Sequence, residues 1–339
     1  MSIKDIAQKT GLSVSTVSRV INNKPGISKD TRELVNSAIK KYHYIPNMVA
    51  RNLINRKTNT IGVIIPDMSE IYFSRIVKGI DHTLSKNGYT MILCDSNESA
   101  EKEHKLISVL TEKQVDGIIL ATVRADHQLE AETRLWNIPL CFIDNTPSSS
   151  NRHYNSVSLD NIMASHLAME HLYKLGHRKI AAIFGKQSES TGMERYQGFC
   201  QAVQSFGLEL NDSLVRFGDF KEQSGYDAAV SLLSSGQKFT AIYIASSQMT
   251  YGAIHAFREK KITIPDDLSL VGFDVRDDNK LYCPTITTIL QPEQSMGEMA
   301  AKLLVDNIEN SLDAVFSQKT LVKPVLLACD STRSLYDAE

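Results

Sequence analysis

The sequence has little from which to build a covalent or metal-held framework. Its five cysteines (Cys94, Cys141, Cys200, Cys283 and Cys329) are odd in number, far apart and never in a Cys-x-x-Cys pair. They read as small apolar residues of a reducing compartment, not as disulfides or metal ligands. No apolar run approaches the roughly 18 residues of a membrane span. The chain is polar from residue 2 onward, which argues against a secretory signal, so a cytoplasmic protein without a membrane partner is expected. Also missing are a Gly-x-Ser-x-Gly elbow, a Gly-x-Gly-x-x-Gly turn and a phosphate-cradling Gly-x-x-x-x-Gly-Lys loop, so no cofactor is expected. The nine histidines include no His-x-x-x-His pair, and His177, after Leu175 and Gly176, reads as a structural residue in a helix-to-strand turn. Together these absences argue against an enzyme.

What the chain does have is an uneven distribution of charge. Its net charge of −2 is an average: residues 1–57 hold 11 Lys/Arg against 3 Asp/Glu, giving +8, and the remainder carries −10. A basic head on an acidic body is the electrostatic footprint of a nucleic-acid-binding unit attached to something else. At 339 residues, with 42% hydrophobic and 22% charged residues, the chain suits a globular protein of two or three units.

The head has a patterned core. Ser2-Ile-Lys-Asp5 resembles a capping box with Asp in the place of Glu, and the helix that follows buries Ile6 and Ala7. Gly11 ends that helix and Ser13 caps the next. There Val17, Val20 and Ile21 form the dry side, while Val14, Ser15, Ser18, Arg19 and Asn22 occupy the rest of the circumference. Small hydroxyl-bearing side chains and one Arg suit a major groove. Ser28 opens a third helix, to about residue 42, with Leu34, Val35, Ala38 and Ile39 as its apolar face. Helix, short Gly-containing turn, helix is a DNA-binding pattern. Pro46 ends the unit. Asn47 caps a segment, 48–55, that reads as helix but is too short to be stable alone, and it is expected to order only when two copies pack on DNA.

From residue 60 apolar strands alternate with amphipathic helices. Strands are expected at 61–65, 90–94, 116–120, 138–143, 179–184, 240–244 and 268–273, with helices over about 72–87 and 99–113. Strands this apolar are buried on both faces, hence parallel and sandwiched by helices. Some 270 residues in this style suggest two doubly wound lobes.

Ile3-Lys-Asp-Ile-Ala, Gly11-Leu-Ser-Val-Ser-Thr-Val-Ser-Arg-Val-Ile-Asn22 and Tyr44-Ile-Pro-Asn-Met-Val-Ala-Arg-Asn-Leu53 resemble the N-terminal signature of the lactose-repressor (LacI/GalR) family of bacterial transcription regulators. The resemblance runs to about residue 327. It implies an all-α helix-turn-helix DNA-binding domain (1–46), a hinge helix and linker (47–59), and a periplasmic-binding-protein-like α/β core (60–339) of two parallel-sheet lobes. Lobe 1 would be about 60–174 with 293–319, and lobe 2 about 175–291 with 320–335. Residue by residue, it places Val14 and Ser15 at base-reading positions, Arg19 at a guanine edge and Thr16, Asn22, Thr31 and Tyr44 at or near phosphate, with Ser18 on the same DNA-facing helix. In the hinge, after Asn47, Ala50 must be small, Arg51 adds charge, and Leu53 wedges the minor groove. A homodimer on a pseudo-palindromic double-stranded operator follows.

In the body the resemblance implies an effector pocket. Asp274 would accept hydroxyls, Arg195 would clamp, Phe220 would stack on a ring, and Tyr72, Phe73, Ser246 and Gln291 would line the site, with Asp144, Asn145 and Asp160 from neighbouring loops. The strand-end rule for open α/β sheets puts ligand groups at these positions. The sequence departs from the family's pattern at Ser246-Ser247, where Asn-Asp is usual, and at Glu70-Ile71, where Asn-Pro is usual. The implied protein is a repressor of a sugar-utilisation operon answering to a sugar-like effector. A purine- or nucleoside-responsive corepressor system, a lobe-bound protein partner and a sugar-transport receptor are the alternatives. No leucine heptads follow 325–328, so a dimer and not a coiled-coil tetramer is expected.

Overall fold

The computed structural model describes residues 1–44, 57–124, 129, 138–147, 154–276, 284–309 and 317–336. The chain divides into two compact units, Met1–Thr58 and Asn59–Glu339.

The first unit contains α1 (Ile3–Thr10), α2 (Val14–Ile21) and α3 (Lys29–Lys41). Ser2 and Asp5 form a reciprocal capping box, so the shorter acid reaches as well as Glu would. Gly11 ends α1 at φ 67°, a left-handed conformation that glycine adopts freely. Ser13 and Ser28 accept from Thr16 N and Thr31 N, fixing the starts of α2 and α3. Ile6, Ala7, Val17, Val20, Val35, Ala38 and Tyr44 make the core. One expectation changes here. Leu34 is 49% exposed, because the stripe through Val35 and Ala38 leaves it on the flank. Tyr44 is only 8% exposed, so its ring also serves the core. The hinge residues Asn47, Ala50, Arg51 and Leu53 lie outside the described residues.

The second unit holds two six-stranded sheets. The first comprises β1 (Thr60–Ile65), β2 (Thr90–Asp95), β3 (Gly117–Leu120), β4 (Leu140–Ile143), β5 (Asn155–Leu159) and β11 (Lys319–Val322), in the order β11-β5-β4-β3-β1-β2, every pair parallel. The second comprises β6 (Ile180–Phe184), β7 (Val215–Phe217), β8 (Ala241–Ile244), β9 (Ser269–Phe273), β10 (Thr287–Leu290) and β12 (Val325–Leu327), in the order β12-β10-β9-β8-β6-β7. Here only β12 runs antiparallel, against β10. The apolar runs are buried on both sides, as in β1 and β6. Strand β2 has one neighbour, and its side chains are half-buried or exposed.

Helices cover both faces of each sheet. On the first sheet, α4 (Ile71–Lys86) and α10 (Glu293–Glu309) share one face, and α5 (Ala100–Glu112) packs on the other. On the second, α6 (Asn161–Lys174) and α7 (Ser190–Ser205) lie opposite α8 (Glu222–Ser234) and α9 (Ser247–Glu259). The α4–α10 crossing is glycine-mediated: a Cβ on Gly79 would lie 2.0 Å from the Gln294 carbonyl oxygen, and one on Gly297 would lie 2.1 Å from that of Ile76.

The lobe boundaries differ from those expected. Helix α6 belongs to the second lobe, since Ala164, Ala168, Met169 and Leu172 pack with Ile180, Ala182 and Val271. The chain therefore crosses first between Leu159 and Asn161, again between Leu290 and Glu293, and a third time between Val322 and Val325. Strand β11 returns to the first sheet beside β5. Of the cysteines, Cys141 is buried, whereas Cys94, Cys200 and Cys329 are half-buried, and these four are free. Among the described residues no helix is long and apolar enough to cross a membrane.

Candidate functional sites: the recognition helix and the interlobe cleft

On α2 the side opposite the core carries the expected groups. Val14 is 41% exposed, and Ser15, Arg19 and Asn22 are exposed. Several are engaged locally. The Ser13 hydroxyl lies 2.8 Å from that of Ser15 and 2.9 Å from that of Thr16. Asn22 Nδ2 donates to Ser18 O at 2.9 Å and to Ser18 Oγ at 3.3 Å. Arg19 Nη2 donates to Pro25 O at 3.1 Å, so the guanidinium rests on the α2–α3 turn. Thr31 Oγ1 lies 2.8 Å from Ser28 Oγ. These are exposed bonds, individually worth about 0.5–1.5 kcal/mol, which leaves the side chains free to exchange them for DNA contacts.

The second site is a cleft of about 660 Å³, open mouth included. The groups that line it stand at the C-terminal ends of parallel strands or in the loops and early helical turns that follow them. Glu70, Tyr72 and Phe73 follow β1, Glu98 follows β2, Val123 follows β3, and Asp144 and Asn145 follow β4. From the second lobe come Glu189, Thr191 and Arg195 after β6, Phe220 after β7, Ser246 and Ser247 after β8, Phe273 and Asp274 at β9, and Gln291 after β10. Parallel strands in both sheets thus aim their carboxyl ends at one space, as the switch-point rule requires. Asp160 does not line it. Its carboxylate accepts from Met163 N at 2.9 Å and caps α6, where the chain crosses between lobes.

The local chemistry explains the arrangement. Tyr72 OH donates to Asp144 Oδ1 at 2.7 Å. Arg195 is 5% exposed and donates through Nε to Asn161 Oδ1 (2.9 Å) and through Nη1 to Ala245 O (2.8 Å). Its guanidinium carbon lies 3.8 Å from the centroid of the Phe273 ring, a cation–π stack. Asp274 Oδ1 accepts from Gln291 N at 2.9 Å and Oδ2 from Gln291 Nε2 at 2.5 Å. Phe220 sits against the bare backbone of Gly185, where a Cβ would come within 2.1 Å of the ring. Asp144, Phe220 and Asp274 all have positive φ, at 68°, 70° and 50°. Phenylalanine rarely adopts this conformation, and such strain concentrates where a site must hold side chains in set directions.

The lobes touch across the cleft. Asn145 donates to Glu189 Oε2 at 3.0 Å and accepts from Ser190 Oγ and Thr191 N, both at 3.1 Å. Lys186 pairs with Glu98 at 3.1 Å and Glu189 at 3.5 Å, and Lys221 pairs with Asp67 at 3.2 Å and, more closely, with Glu98. Asp67, Glu70 and Glu98 cluster, but the Lys221 ammonium already serves two of them.

Burial governs the titration of these acids. It pushes Asp274 up to about 7, opposed by the bonds from Gln291, and Glu70 up to about 7, opposed by Lys221. Asp144 and Glu189 are also raised by burial. A carboxyl whose folded pKa lies above its unfolded value of 3.8 binds a proton more tightly when folded. Its contribution to stability is therefore lost as pH rises from about 4 to about 7. Across this window Asp274→Asn should lose less stability than the parent protein in denaturant melts, and parallel slopes would show that the carboxyl ionises normally.

Glu98, Glu189, Thr191, Val123 and Phe273 are cleft residues that sequence reasoning missed. A glutamate just ahead of a helix is a common helix-start feature. The usable signal was position, since each lies within a few residues of a strand's carboxyl end. His177, by contrast, is structural as expected: its ring nitrogens lie 2.8 Å from Thr240 Oγ1 and 3.2 Å from Arg333 O.

Comparison with known proteins matches both units. Residues 2–47 fit the profile of bacterial regulatory proteins of the lacI family, and residues 58–324 fit that of periplasmic binding proteins and the sugar binding domain of the LacI family. The chain is 34% identical over 328 residues to the HTH-type transcriptional repressor PurR of Serratia proteamaculans, covering 96% of this chain and 95% of that protein. Among solved structures it resembles the lac repressor dimer bound to operator and the anti-inducer ONPF (TM-score 0.88, 26% identity, 98% and 99% coverage). It also resembles the transcriptional regulator CelR–cellobiose complex (TM-score 0.75, 29% identity, 98% and 99% coverage).

Proposed function

Because this chain belongs to the LacI family of bacterial regulatory proteins and is a DNA-binding transcriptional repressor, we propose that its interlobe cleft binds a small hydroxylated metabolite and that occupancy sets operator affinity. One observation carries this reading: strand ends of both lobes converge on one cleft that joins acceptors (Asp144, Asp274), a fixed cation (Arg195) and aromatic faces (Tyr72, Phe73, Phe220). Such a mixture is the usual toolkit for a polyhydroxylated ring. The α2 groups Val14, Ser15, Ser18 and Arg19 read bases, while Thr16, Asn22 and Thr31 set the register on phosphate. The protein acts in the cytoplasm as a homodimer on a pseudo-palindromic operator, with Asn47, Ala50, Arg51 and Leu53 in paired hinge segments. A coupling of about 1–3 kcal/mol between cleft and head changes operator affinity roughly 5–150-fold.

The effector class stays between two candidates. The cellobiose in the CelR complex favours a sugar. The PurR name of the full-length relative favours the purine alternative. Footprinting finds the operator, and anisotropy titrations of that operator with sugars and nucleobases then decide between the two. If no compound in either panel shifts operator binding, the metabolite reading fails and a protein partner takes its place. Leu53→Ala should abolish operator bending and lower specific affinity while sparing nonspecific binding. Bending that persists in that variant would remove Leu53 from the wedge role.

A further inference from the structure

The cleft's charge balance is unusual for a site that takes a neutral sugar. Five carboxylates line it, from Glu70, Glu98, Asp144, Glu189 and Asp274, against one lining cation, Arg195. The interlobe lysines account for part of the excess: Lys186 pairs with Glu98 and Glu189, and Lys221 pairs with Glu98 and with Asp67 outside the lining. Glu70, Asp144 and Asp274 remain: Lys221, already paired with Asp67 and Glu98, acts on Glu70 only from a distance, and Arg195 is the cation beside Asp144 and Asp274. That guanidinium is already committed to Asn161, Ala245 and the Phe273 ring. Glu70 makes no side-chain hydrogen bond or ion pair with any described residue, although it lies in the lining.

A second observation is independent of the acids. Gln291 is 3% exposed and lines the cleft, and its Nε2 is spent on Asp274. Its Oε1 is buried without a hydrogen-bond partner. A buried acceptor left unmade costs on the order of 1–3 kcal/mol, so a donor belongs there when the site is in use.

Resting on the metabolite reading above, we propose that the cleft's effector is a small organic cation rich in hydrogen-bond donors, a protonated amine on a hydroxylated ring of monosaccharide size. The ammonium takes the charge of Glu70 and its neighbours. Ring hydroxyls donate to Gln291 Oε1 and to the free lone pairs of Asp144 and Asp274. The ring's apolar face lies on Phe220, and the aromatic walls add cation–π attraction. A sugar phosphate is repelled by the same carboxylates.

The test is isothermal titration of the full-length protein with glucosamine, galactosamine and mannosamine. Each is compared with its N-acetyl derivative, its neutral parent hexose and its 6-phosphate, with hypoxanthine and guanine as separate arms. The expected result is that one amine binds about tenfold or more tightly than its neutral and N-acetyl counterparts, the difference between a charge-assisted and a neutral hydrogen bond. Glu70→Gln should cut that preference to roughly threefold or less, and Asp144→Asn provides a second variant should the first fold poorly. Equal or tighter binding by a neutral hexose, a phosphate or a nucleobase overturns this inference and leaves the metabolite reading standing. Silence from every compound, with operator binding intact, overturns both.

Discussion

Gly297→Ala should destabilise the larger unit by about 2–3 kcal/mol, and Gly297→Val by more, lowering the melting temperature by roughly 5–10 °C. The sign is the informative part. In an ordinary helix interior, replacing glycine by alanine stabilises by about 0.5–1 kcal/mol, because glycine loses more backbone freedom on folding. Here the added carbon would sit 2.1 Å from the Ile76 carbonyl oxygen and 3.0 Å from Ile80 N. Those are backbone atoms of α4, which cannot rotate away as a side chain would. Gly79 makes the reciprocal approach to Gln294 O, so the two helices meet backbone to backbone and the crossing has no slack. Met299→Val, on the same helix at a residue 42% exposed, is the control, and should cost only the small helix penalty of a β-branched residue. A Gly297→Ala protein at least as stable as the parent would mean that the α4–α10 crossing has room for a methyl group.

Arg195→Ala should remove the effector response and cost about 2–5 kcal/mol of stability. The guanidinium holds three elements of the second lobe together: α7, which bears it, Asn161 at the start of α6, and the Ala245 carbonyl just past β8. Truncation leaves two buried acceptors without donors and uncovers the Phe273 ring. It also takes away the one cation that lowers the titration of both Asp144 and Asp274, so both carboxyls should be held further toward the protonated form. Arg195→Lys should not restore the parent, because a single ammonium cannot reproduce two directed N–H bonds and a stacked planar face. If Arg195→Lys recovers full stability and response, charge alone is what position 195 supplies.

The legible parts of this chain were those fixed by local chemistry. Ser2, Ser13 and Ser28 announced helix starts because a short hydroxyl side chain caps from its own position. Strands β1, β6, β8 and β9 announced themselves as apolar runs because both of their faces are covered. Strand β5 did not. It reads Asn-Ser-Val-Ser-Leu, yet all five residues are buried: Asn155 Oδ1 accepts from Gln318 N at 2.9 Å, while the Ser156 hydroxyl is buried without a partner among the described residues. Strands β7, β11 and β12 span only three or four residues, too few to show a period. The placement of α6 depended on tertiary packing, which no window of sequence contains. In the cleft, Asp274, Arg195 and Phe220 were found through resemblance, whereas Glu98 and Glu189 entered only once the strand ends were seen to converge.

The return of residues 319–322 to the first sheet has a consequence for biosynthesis. Strand β11 pairs with β5, whose register partners begin at Ser156, so more than 160 residues must leave the ribosome before that edge closes. Helix α10, which seals Ile76, Ile80 and Leu84, is likewise made after the entire second sheet apart from β12. During translation the first lobe therefore waits with an uncovered apolar flank while its younger neighbour completes most of its own interior. That waiting species, not the finished repressor, is the form most in need of chaperone protection and most prone to aggregate when expression is fast.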